Sequence, residues 1–157
     1  MRNNTVSPAG SAVGCQCVTL PSGLRVICRT MPGYSSVHGY YAADFGSVYS
    51  QFTLDGRTVT LPAGTAHFME HKMCETAAGD TFALYAKTGA SANAFTGYDR
   101  TCYVFSATEK IDENLDILLG QVGKPWFTKA SIAKEQGIIA QEIKMYDDSP
   151  DWRLLNA

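Results

Sequence analysis

The stretch GASANAFTGYDRTCYVFSATEKIDENLDILLGQV, residues 89–122, decides the fold. Residues 90–96 and 100–107 read as two β-prone runs around Gly97-Tyr98-Asp99, which is turn chemistry, so a hairpin is expected. Residues 109–122 then place Ile111, Leu115, Leu118 and Leu119 at helical spacing. Two adjacent strands feeding a helix argue for an antiparallel sheet with helices packed on it, rather than a parallel one.

Working upstream, Gly89 stops a predicted helix over 79–88, and Pro62 and Gly64 precede another over 65–74. Residues 46–61 read as a loop with room for a small hairpin at Asp55-Gly56. Residues 37–45 read as a strand with Val37, Tyr41, Ala43 and Phe45 on one face. Residues 17–20 and 24–30 flank Pro21-Ser22-Gly23. In the second of these runs Leu24, Val26 and Cys28 alternate with Arg25, Ile27 and Arg29, the pattern of a half-buried hairpin. Downstream, a helix is expected over 128–147, closed by Pro150. The expected architecture is α+β, a mostly antiparallel sheet of about five to six strands with helices on one face.

The bulk properties agree with one globular domain. The chain has 157 residues, 45% hydrophobic and 18% charged, with a net charge of -2. Lys and Arg are not clustered, so no nucleic-acid footprint is expected. No apolar run approaches the ~20 residues of a spanning helix, and no membrane partner is expected. Residues 1–14 read as a disordered or expression-derived tail, and 15–157 as the domain. The tail lacks the apolar segment of a secretory signal, which makes the cytoplasm the expected compartment. The five cysteines, Cys15, Cys17, Cys28, Cys74 and Cys102, are an odd count, which favours reduced thiols.

His67-Phe68-Met69-Glu70-His71 is H-x-x-E-H, the inverted zinc-peptidase signature. Residues i and i+4 share a helical face, so both imidazoles can reach one ion, and Glu70 lies on that face to take a proton from a water there. A catalytic zinc takes a third protein ligand. The helix over 128–147 offers it. Its expected inner stripe is 135, 138, 139, 142, 145 and 146, which puts Glu135 and Glu142 among apolar residues. A carboxylate there needs a cation or donors. Glu142 on zinc, with Glu135 supporting a ligand histidine, meets that need. The rival readings are an accidental motif with exposed His and Glu, and a surface pairing of Glu135 with Lys134. Cys74 reads as a buried thiol and His38 as structural. Ser91–Thr96, rich in small residues, suits either a peptide-pairing edge or a plain hairpin strand.

These residues resemble the pitrilysin/insulysin (insulinase-type) zinc peptidases. The resemblance runs from Leu20 to Arg153 through PSGLRV, GTAHFMEHKMCE, GASANAFTGYDRTCYVFS and KEQGIIAQEIKMYDD, in family order. It implies Zn2+ on His67, His71 and Glu142, Glu70 as general base, Glu135 as the supporting glutamate, and Asn93 and Ala94 as contacts to a peptide added at the sheet edge. It implies one unit of the family's repeated α/β architecture, and a fragment, inactive alone, without the C-terminal homologous domains that commonly supply an Arg and a Tyr. The expected function is a zinc-dependent endopeptidase acting on extended peptides or unfolded segments. The expected partners are a peptide substrate and a homologous subunit or a second copy. The alternatives are a non-catalytic assembly subunit of the same fold, or another metal hydrolase.

Overall fold

The computed structural model describes residues 14–155, so the expected tail, Gly14 apart, lies outside the described residues. The chain divides into two units, Met1–Ser35 and Ser36–Ala157. In the first, β1 (Cys15–Thr19) and β2 (Arg25–Arg29) pair antiparallel with Cys15 opposite Arg29. Gly23 takes the positive φ the turn requires, and its N–H donates to Leu20 O at 2.9 Å. The expected half-burial is not found. All of β2 is exposed, and among the described residues of this unit there is no helix to cover it.

The second unit begins with β3 (Val37–Ala43), β4 (Gln51–Leu54) and β5 (Arg57–Thr60). Strands β4 and β5 form the small hairpin allowed for in the 46–61 loop. Asp55 and Gly56 both take positive φ, as a two-residue type I′ turn demands. Next come α1 (Thr65–Met73), the two-residue strands β6 (Glu75–Thr76) and β7 (Gly79–Asp80), and α2 (Thr81–Thr88). The Asp80 carboxylate accepts from Phe82 N at 2.8 Å and caps α2, and Gly89 ends it in the left-handed conformation. Then follow β8 (Ser91–Thr96), β9 (Thr101–Ala107), α3 (Ile111–Gly123), α4 (Lys129–Asp147) and α5 (Pro150–Leu155). Thr128 and Ser131 form a reciprocal capping box on α4. Pro150, expected to close that helix, also opens α5, where its missing N–H costs nothing.

Every strand pairing among the described residues is antiparallel, which gives the α+β class expected. Among the described residues, hydrogen bonds divide the strands into one three-stranded sheet, β3-β9-β8, and three two-stranded ones, rather than one sheet of five or six. Residues Tyr103, Phe105 and Ala107 of β9 turn one face inward, against Tyr85 of α2 and Leu118 of α3. A Cβ on Gly39 would come within 2.2 Å of the Phe105 ring, so that close approach requires glycine.

The inner faces of the two long helices differ from the apolar stripes expected. On α3 the buried row is Asn114, Leu118 and Gln121, while Leu115 and Leu119 are exposed. Asn114 is tolerated because its amide donates to the carbonyls of Glu109 and Lys110 and its Oδ1 meets the Thr88 hydroxyl. On α4 the inward row is Ser131, Ile132, Glu135, Ile139 and Glu142, whereas Ile138, Met145 and Tyr146 are exposed.

Candidate metal centre

Helix α1 lies between β8 and α4. Ala66 and Glu70, four residues apart, are buried, and His67 and His71 take the adjoining face. The two imidazoles meet edge to face, with centroids 4.6 Å apart, and their Nε2 atoms approach to 3.1 Å. Glu142 arrives from α4 with Oε2 at 3.6 Å from His67 Nε2 and 3.7 Å from His71 Nε2. Seven residues earlier on α4, Glu135 Oε1 sits 2.8 Å from His71 Nδ1. This pairing, rather than one with Lys134, is what the carboxylate uses. It leaves His71 Nε2 as the nitrogen turned toward His67 and Glu142.

The donor set suits zinc. Metal–nitrogen bonds of about 2.0–2.1 Å at tetrahedral angles put neighbouring ligand atoms about 3.3 Å apart. The separations of 3.1, 3.6 and 3.7 Å bracket that value. Among the described residues, His67, His71 and Glu142 are the group of three whose ligand atoms fall within 4.8 Å of one another. Two imidazoles and a carboxylate are a donor set of the kind zinc takes, and Glu135 meets the far nitrogen of one of the imidazoles.

Glu70 stands beside this cluster, 8% exposed, and its Oε2 accepts from the Thr96 hydroxyl at 2.7 Å. Reading the sequence missed Thr96. The only sign available was that Thr96 shares a strand face with Ala94, two residues before it. Lys72, fully buried on α1, pairs with Glu75 and holds that carboxyl below the usual range. The Cys74 thiol is pushed up from 9.0 to about 12, first by burial and then by the negative charges of Glu70 and Asp80. It donates to Glu70 O at 3.5 Å and stays a neutral thiol outside the donor cluster. His38 is exposed on β3, with Nε2 3.4 Å from the Ser36 hydroxyl, and lies apart from the cluster.

A hollow of about 550 Å³ opens next to the cluster. Its wall includes Glu70, His71, Glu135, Phe82, Asn93 and Ala94. Strand β8 is one of the two edges of the three-stranded sheet among the described residues. There the Asn93 side chain accepts from Ala94 N at 2.9 Å, covering a backbone donor of that edge. Asn93 and Ala94 therefore line the same hollow as Glu70 and His71.

Residues 61–157 match the family model described as insulinase (peptidase family M16). YmfH of Bacillus subtilis (strain 168), named as an uncharacterized zinc protease, is 44% identical over 137 residues, covering 86% of this chain and 32% of its own length. A crystal structure described as an M16-like peptidase from Alicyclobacillus acidocaldarius superposes with a TM-score of 0.85 at 38% identity, over 94% of this chain and 35% of that one. The first half of the periplasmic protease PqqL from Escherichia coli shares the fold, with a TM-score of 0.77 at 24% identity over 92% of this chain and 32% of that one. The chain thus spans about a third of the length of the relatives it matches.

Proposed function

The chain belongs to the insulinase family, peptidase family M16, and on that premise we propose that the whole protein is a zinc-dependent endopeptidase cleaving extended peptides or unfolded segments. The observation that carries the reading is the convergence of His67, His71 and Glu142 beside a buried Glu70. In this reading His67, His71 and Glu142 hold the metal, and Glu135 fixes the orientation of His71. Zinc bound there supplies a Lewis acid that brings the pKa of a coordinated water down to about 7.

The chain's own residues do the rest. Glu70 accepts the proton of the attacking water on its carboxylate and returns it to the leaving amine. Substrate adds as a strand at the β8 edge, displacing the Asn93 side chain from Ala94 N and placing a scissile bond beside α1. The hollow beside Phe82 and Ile138 takes a neighbouring side chain.

Residues 15–157 are read as one zinc-peptidase domain of a larger assembly. The share of the relatives' length that it spans supports this. Exposed Ile143, Met145 and Leu154, 57%, 62% and 80% accessible, support a homologous domain, a homologous subunit or a second copy against this surface. This domain alone is expected to be inactive. The intact donor set weighs against a purely structural subunit. Five free cysteines support a reducing, cytoplasmic compartment. No helix among the described residues is long and apolar enough to cross a membrane.

The test is an unfolded-peptide assay on the full-length protein, with and without chelator, beside Glu70→Gln. Loss of the base lowers kcat by about 10²–10⁴-fold while zinc stays bound. Full activity in Glu70→Gln, or activity indifferent to zinc removal, would overturn the reading.

A further inference from the structure

Thr96 closes β8 on the face that carries Ala92 and Ala94, opposite Thr101 of β9. The strand ladder uses backbone groups, so it leaves the Thr96 hydroxyl free to reach α1. There it meets Glu70 Oε2 at 2.7 Å. The direction of this bond follows from counting protons. The Thr101 hydroxyl lies 3.5 Å from that of Thr96, but it gives its own proton to Phe45 O at 2.8 Å. The Thr96 proton goes to Glu70. A hydroxyl donating to a carboxylate is among the stronger hydrogen bonds, and here the acceptor is buried.

The consequence for Glu70 is geometric. A glutamate turns about three torsions, and its terminal one is broad. With Oε2 held by Thr96, the carboxylate keeps one orientation and Oε1 is the oxygen left to take a proton. We infer that Thr96 is a positioning residue for the base. It keeps the Glu70 carboxylate in one rotamer, with one oxygen occupied and the other turned to the attacking water. The inference rests on the peptidase reading above. It extends that reading from the ligand helices to the sheet, since the strand that would receive substrate also orients the base.

The experiment uses the full-length protein with Thr96→Val and Thr96→Ser, beside Glu70→Gln. Valine keeps the shape and the strand preference of threonine and replaces the hydroxyl with a methyl group. Thr96→Val is expected to lower kcat by roughly 10–100-fold, the scale of losing an outer partner of a catalytic group. KM and zinc affinity stay near wild type, because neither the cleft nor the ligand set changes, and the fall in Tm from leaving Glu70 Oε2 unpaired is restored by Thr96→Ser. Thr96→Ser restores most of kcat. A crystal structure of Thr96→Val, grown without added metal, shows the Glu70 side chain turned or split between rotamers.

Wild-type kcat together with an unmoved Glu70 in Thr96→Val overturns the inference. So does a kcat loss matched by falls in Tm and zinc affinity that serine does not rescue, since that is a structural contact. If the wild-type protein cleaves no peptide and Glu70→Gln changes nothing, the peptidase reading has failed. The Glu70 rotamer in Thr96→Val then decides the positioning claim alone.

Discussion

The contact between α1 and α4 and the core between the sheet, α2 and α3 lie in one unit but are made of opposite materials. The core closes on Tyr85, Tyr103, Phe105, Ala107 and Leu118, with the rings of Tyr85 and Phe105 stacked at 5.9 Å. The α1–α4 contact brings together His67, His71, Glu135 and Glu142, with Ile132 and Ile139 in the same inward row, while Ile138, Ile143 and Met145 of α4 are exposed. Apolar burial is non-directional and holds whatever the site contains. Imidazoles and carboxylates are directional, and four of them facing inward are best satisfied by a cation. The difference teaches that the fold and the site rest on separate supports. A perturbation of one should spare the other.

The largest expected effect comes from the core. Leu118→Ala should cost about 2–5 kcal/mol of unfolding free energy, measured by urea denaturation. The folded fraction should bind zinc as before. A parallel loss of zinc affinity would show that the two regions are coupled after all.

The reciprocal change is smaller. Glu135→Gln keeps the size of the side chain and removes the charge opposite His71 Nδ1. Zinc affinity should fall roughly 10–100-fold in a competition titration, with the urea midpoint of the metal-free protein little changed. Unchanged affinity would remove Glu135 from the site.

The smallest effect sharpens the comparison at its seam, where Cys74 of the α1 C-terminus packs toward the core cluster. Its thiol is raised from 9.0 to about 12, chiefly by burial. Between those values the unfolded chain releases the proton and the native chain keeps it, so stability falls as pH rises. By pH 10 the loss is on the order of 1 kcal/mol, and Cys74→Ala should flatten that alkaline limb in thermal melts. Tyr85, raised from 10.0 to about 12, adds a second decline beginning higher. An alkaline limb unchanged in Cys74→Ala would place its origin in Tyr85 and its neighbours.

Much of the site was legible because its geometry is local to single helices. His67 and His71 are one turn apart, and Glu135 and Glu142 two turns apart, so each pair shares a face before any packing is known. The sheet was legible from the 90–107 hairpin for the same reason. Thr96 on Glu70 was not legible, since 26 residues and a strand-to-helix packing separate them. The inner rows of α3 and α4 were misjudged because Asn114, Gln121 and Ser131 are polar yet buried, and each is satisfied by nearby groups that periodicity does not register. Exposure of both faces of β2 was likewise invisible, since alternation shows which side chains share a face and not whether anything covers it.

The most direct measurement is zinc content and affinity of this chain beside Glu142→Gln. One zinc per chain is expected. Binding in the variant should be weakened by more than the roughly 10–100-fold expected for the outer partner Glu135. A chain that takes up no zinc, or a Glu142→Gln variant that binds it as tightly as the parent, would contradict the three-ligand centre on which the proposed function stands.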